Sequence, residues 1–145
     1  MSATPPGRAP RVLLITALGA VAIETACAFL PWIRTGHRDR TSFEVIGAVR
    51  ELDVLRSPIE RWIAAAWYVL PLLAALAALS AALGARRALA TAAIAAGGLG
   101  VAVGRGVWIA PFAHYTALRV CVVASGLSLF AGVFLLVTNR RSVYR

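Results

Sequence analysis

Residues 62–83 read WIAAAWYVLPLLAALAALSAAL, without one charged side chain. A helix rising about 1.5 Å per residue needs roughly 20 apolar residues to cross the hydrocarbon core of a bilayer. Inside that core every backbone N–H and C=O must find a partner within the segment, and a helix provides one for each. The run therefore reads as a transmembrane helix. Working outward from it, comparable runs occupy 12–30, 89–109 and 118–137. Four spans in 145 residues leave no room for a separate soluble domain, and a mean hydropathy of +0.78 agrees. The expected fold is all-α, one integral membrane domain over 1–145 built as a four-transmembrane-helix bundle.

The net charge of +9 comes from arginine alone. A basic balance can mark a nucleic-acid binder. Here the arginines gather at the ends of the apolar runs, which is the pattern of membrane topology, and nucleic acid is not an expected partner. The first run follows Arg8 and Arg11, and Ala26-Cys27-Ala28 has the small-x-small look of a signal-peptide cleavage site. The run is too long for a signal h-region, Glu24 stands just before the supposed site, and Glu-Thr-Ala-Cys is a poor lipoprotein box. An uncleaved anchor is the expectation.

Orientation follows from Lys and Arg near the helix ends. With the N-terminus inside, Arg8, Arg11, Arg86, Arg87, Arg140, Arg141 and Arg145 lie on the inner side. Arg34, Arg38, Arg40, Arg50, Arg56 and Arg61 lie on the outer loop, 31–61. The count is nearly even, but the inner segments hold no acid, while the outer loop holds Asp39, Glu44, Glu51, Asp53 and Glu60. Both termini are expected in the cytoplasm, with residues 1–11 a short basic tail. The aromatics Trp32, Trp62, Trp67, Trp108 and Tyr115 then fall near the outer interface, as an anchoring belt or as a rim for a partner or lipid.

The outer loop has structure of its own. Thr41-Ser42-Phe43-Glu44 has capping-box spacing, and Val45, Ile46, Val49 and Leu52 then share one side of a helical wheel. That predicts a short amphipathic extracytoplasmic helix at 42–54, lying on the membrane or on the bundle. Ser57-Pro58-Ile59-Glu60 is a second helix start, so the second span begins near Pro58. Pro71 should kink it.

The stretch 31–44, PWIRTGHRDRTSFE, resembles a segment of small actinobacterial four-helix membrane proteins, as do Pro71 and the turn at Arg86-Arg87. The resemblance implies the four-helix layout and a bacterial plasma membrane, and no activity.

Glu24 lies inside the first span, where an ionised carboxylate costs several kcal/mol unless paired. Arg105 lies at a similar depth in the third. The economical reading is a Glu24–Arg105 pair holding two helices in register. The others are a proton or cation site in a transporter, and a protonated Glu24 bonded to Thr25 or Ser125. Ala22-Ile23-Glu24 is similar to the membrane-embedded Glu of small multidrug-resistance transporters, but the long first loop departs from their compact design.

Gly97, Gly98, Gly100, Gly104 and Gly106 make no phosphate loop, since Val103 stands where the last glycine of G-x-G-x-x-G would be. Gly100 and Gly104 read as a helix-packing face, with Ala124, Ser128 and Gly132 as its counterpart on the fourth span. Cys27 and Cys121 lie at equal depth, which permits a disulfide, although cysteine is also a good small apolar residue. His37 and His114 sit in outer loops without the further ligands that zinc or haem needs. No cofactor or metal is expected, and no nucleophile–base set suggests an enzyme. The first expectation is a non-enzymatic accessory or interaction protein of the cell envelope, acting through its outer loop and aromatic rim. Its partners would be the bilayer and another membrane protein or a second copy of itself. The alternative is a small transporter or channel component using Glu24 and Arg105.

Overall fold

The computed structural model describes residues 8–53, 55, 57–108 and 116–141. These are mostly helical, and four helical stretches are long and apolar enough to cross a membrane: Arg11–Ala28, Pro58–Ala82, Arg86–Val107 and Thr116–Asn139. In chain order the elements are α1 (Arg8–Ala28), a hairpin of β1 (Pro31–Thr35) and β2 (Arg38–Thr41), α2 (Ser42–Glu51) and α3 (Pro58–Ala66). A 3₁₀ turn at Trp67–Val69 follows, then α4 (Leu70–Ala82), α5 (Arg86–Trp108) and α6 (Thr116–Arg141). Helix α1 begins inside the expected basic tail. Pro10 falls in its first turn, where a missing N–H removes no helical bond.

Helix α6 is the hub, packing along both α5 and α1, while α4 lies against α5 and α1. Small residues set the closeness of α5 to α6. A Cβ added at Gly97 would strike the backbone carbonyl of Ser125 and the backbone nitrogen of Leu129. One at Gly132 would come within 2.9 Å of the Ala90 carbonyl, and one at Gly104 would strike Val122 Cγ2. Between these points Ser128 Oγ donates to the Ala93 carbonyl at 2.9 Å, both groups buried. Gly100, Gly104, Ser128 and Gly132 thus come together on one intramolecular seam, with Gly97 set directly against the α6 backbone.

The second span is broken where Pro71 requires it. Pro71 has no N–H for the carbonyl of Trp67, and that carbonyl instead accepts from Leu70 N–H in the 3₁₀ turn. The α4–α5 turn closes with a Schellman pair: Ala85 N–H reaches Ser80 O at 2.8 Å and Gly84 N–H reaches Ala81 O at 3.1 Å. Gly84, at φ +69°, supplies the left-handed residue this motif needs.

Both predicted helix starts are present as full capping boxes, Thr41 with Glu44 and Ser57 with Glu60. Glu44 is held below the usual carboxylate range, first by the Thr41 backbone N–H and also by nearby Arg38 and Arg40. The predicted amphipathic helix is shorter than expected. It ends at Glu51, with Leu52 as its C-cap, and Leu52 is exposed where it was expected on the apolar face. It lies on the protein, burying Ser42, Val45 and Ile46.

The hairpin before it was not predicted. Its strands pair antiparallel with Thr35 opposite Arg38 and an irregularity between Pro31 and Ile33. Gly36, at φ +61°, takes the first of two turn positions, as a II′ hairpin asks.

Candidate functional site

The hairpin and α2 form a cap over the end of α1. The last carbonyls of a helix have no partner within it. Here Cys27 O accepts from Trp32 Nε1 at 2.9 Å, and Ala28 O accepts from Ser42 Oγ at 2.6 Å. Ser42 Oγ in turn accepts from Trp67 Nε1 at 2.9 Å. One buried hydroxyl therefore ties α1, α2 and the kink of the second span together. Trp32 and Trp67 meet edge to face at 5.5 Å, and Phe43 touches Phe29, Trp67 and Tyr68, whose hydroxyl donates to the Phe43 carbonyl.

This arrangement corrects the reading of the aromatic rim. Trp32 and Trp67 are 0% exposed and form the inner staple of the cap. Trp62 is 76% exposed, with Ile59 and Leu52 exposed near it in the chain. Tyr115, His114 and the side chain of Trp108 lie outside the described residues. The outer surface of the cap is charged, with Arg34 facing Asp39 at 3.6 Å and Arg38 facing Glu44 at 3.3 Å. These pairs are exposed, and solvent screening leaves them little weight in stability.

The second candidate region lies along α1, just below the cap. Ala17, Val21, Glu24 and Ala28 follow helical spacing on the buried face of α1, which carries Glu24 to full burial. Its Oε1 meets Ser125 Oγ over the bare Cα of Gly100, where an added Cβ would collide with both. Neither Glu24 oxygen receives a hydrogen bond from the described residues. The Ser125 hydroxyl donates elsewhere, to Cys121 O at 2.7 Å. Cys121 Sγ approaches the Glu24 carbonyl at 4.0 Å; both cysteines are buried and free.

Arg105 does not join this group. It is exposed, and no ion pair links it to Glu24 among the described residues. At about 100° per residue Arg105 is turned some 140° round α5 from Gly100, the position that faces Glu24. Equal depth along two helices did not bring equal facing. Glu24→Gln and Arg105→Leu are therefore expected to act additively, within about 0.5 kcal/mol, in a double-mutant cycle read by thermal melting in detergent. A coupling above about 1 kcal/mol would restore the pair. No cluster of three or more His, Cys, Asp or Glu side chains suited to a metal occurs among the described residues.

No known family model, curated protein or solved structure matches the chain.

Proposed function

We propose that the chain is a four-helix transmembrane bundle of the bacterial plasma membrane with both termini in the cytoplasm. On this reading it is a non-enzymatic accessory or interaction protein that presents the hairpin and α2 outside the membrane to another envelope protein. The four apolar helices support the bundle, and the acid-free Arg86-Arg87 turn, set against an acid-bearing cap, supports the orientation. The observation that carries the interaction reading is the staple. A polar hairpin of this length is marginal by itself, yet here it is fastened to the bundle by buried tryptophans and a buried serine. That fastening holds a charged surface in one fixed shape, which a binding face needs and a mere connection between spans does not.

Two measurements test this. In intact cells a cysteine replacing His37, exposed at the hairpin turn, should react with a membrane-impermeant maleimide. One replacing Ala85 in the α4–α5 turn should react only after permeabilisation. The reverse pattern would overturn the orientation. A photo-crosslinking residue at Arg50 should then give one stoichiometric adduct with another membrane protein, and no adduct or only self-adducts would defeat the accessory reading.

A small transporter or channel component is the second reading, favoured by the buried and unpartnered Glu24. With Arg105 on another face of α5, that reading stands on Glu24 alone.

A further inference from the structure

We propose that Glu24, Ser125 and the space above Gly100 form a proton-binding site within the helical bundle. The inference goes beyond the accessory reading and stands whether or not the cap binds a partner.

Three observations meet at one point. The Glu24 side chain is 0% exposed, and both its oxygens lack a donor among the described residues. The hydroxyl beside it, Ser125, has its proton directed to Cys121 O. What Ser125 turns toward the carboxyl is therefore an acceptor. The carboxyl oxygens accept no hydrogen bond from the described residues, whereas the neutral acid can donate its own O–H to Ser125 Oγ. The third observation is Gly100. Any larger residue would collide with Glu24 Oε1 and Ser125 Oγ together, so the chain leaves room for a carboxyl on a face otherwise built from alanine, valine and glycine.

Packing alone does not account for this acid. Alanine and valine occupy the equivalent positions one turn earlier on α1, and a buried polar group without partners lowers stability. An ionisable residue kept at such a place is best explained by exchange of its proton. The step is simple: a proton from the aqueous phase joins one carboxylate oxygen, the negative charge disappears, and the new O–H turns to Ser125.

The groups surrounding the site are few. From α1 and α6 the titratable neighbours are the Cys27 and Cys121 thiols, both buried. From α5 the site meets Gly100, with Arg105 exposed on another side, and α4 contributes no ionisable residue. Arg119 lies toward the start of α6 and is exposed. Among the described residues no arginine donates a hydrogen bond to the carboxyl.

The test is infrared difference spectroscopy of the purified protein in lipid, stepping pH upward from about 5. Ordinary carboxyls ionise near about 4, so a protonated C=O stretch surviving to neutral pH identifies a sequestered acid. The expected result is such a band, lost as pH is raised further, absent in Glu24→Gln and shifted in Ser125→Ala. Absence of the band in the parent protein, or a band that no pH removes, would overturn the proposal. Should Glu24→Gln fail to fold, the parent protein can be treated with dicyclohexylcarbodiimide, which reaches buried carboxylic acids through lipid. Peptide mapping should then place a covalent adduct on Glu24 that diminishes as pH rises. No adduct there would count against the site equally.

Discussion

Gly97→Ala is expected to destabilise the protein by about 3 kcal/mol or more, and Gly97→Leu to prevent its recovery in folded form. The two substitutions act where α5 lies directly against the α6 backbone. The atoms a Cβ would meet are the Ser125 carbonyl oxygen and the nitrogen and Cα of Leu129, all backbone. A side chain can rotate away from an intruding methyl, but a helix backbone can only retreat as a whole. Retreat would open the seam from Ala90 to Gly104 and break the Ser128–Ala93 hydrogen bond. Overpacking in a tight core costs about 1–3 kcal/mol even where side chains give way, so backbone contact belongs at or above the upper end.

The neighbouring residue is the control. Nothing lies within 4 Å of a Cβ placed on Gly98, and alanine is favoured over glycine in a helix by up to about 1 kcal/mol. Gly98→Ala should therefore melt at or slightly above the parent temperature. Gly104→Ala should fall between the two, since Val122 Cγ2 is the end of a side chain that can move. Melting curves in one detergent decide the matter, and equal midpoints for Gly97→Ala and Gly98→Ala would dismiss the close α5–α6 contact.

The four apolar helices could be read from the chain because bilayer thickness demands a length and a composition that nothing else in 145 residues satisfies. The caps at Thr41 and Ser57 could be read for a similar reason, as a hydroxyl and a Glu at fixed spacing act on their own backbone. Pro71 announced a break through its missing N–H. What could not be read depends on rotation and on non-local partners. Depth along a span is linear in residue number, but facing is not, and so Arg105 was paired with a carboxyl it is turned away from. Trp32 and Trp67 are expected near the outer interface, as a belt or as a rim for a partner or lipid, because composition alone cannot tell a tryptophan at an interface from one buried under a folded loop. The hairpin lacks alternation of apolar and polar residues, leaving Gly36 between short polar runs as its only local signal. Gly97 was in view among the glycines, but its neighbour on α6 lies far along the chain.

Trp67→Ala is expected to cost about 3–5 kcal/mol, the range for removing a large buried aromatic side chain. Trp67 fills the space between Trp32 and Phe43 and supplies the N–H that Ser42 Oγ accepts. Its loss leaves a cavity beneath the cap and removes one of the two bonds holding Ser42 between α1 and the second span. Ser42→Ala should cost less, about 1–3 kcal/mol, because it keeps the packing and leaves only the Trp67 N–H and the Ala28 carbonyl without this partner. Trp62→Ala provides the comparison: the same deletion at a side chain 76% exposed should hardly move the melting point in detergent. The two tryptophans would be ranked alike if both belonged to an interfacial belt, so equal effects would remove the staple. Trypsin adds a local reading. Arg34, Arg38 and Arg40 sit on the hairpin, and cleavage there should accelerate in Trp67→Ala and Ser42→Ala, because the bond that fastens Ser42 to the second helical stretch is lost. If the cap is the surface that meets a partner, the same two variants should lose the crosslink from Arg50 while remaining membrane-inserted, and Trp62→Ala should keep it.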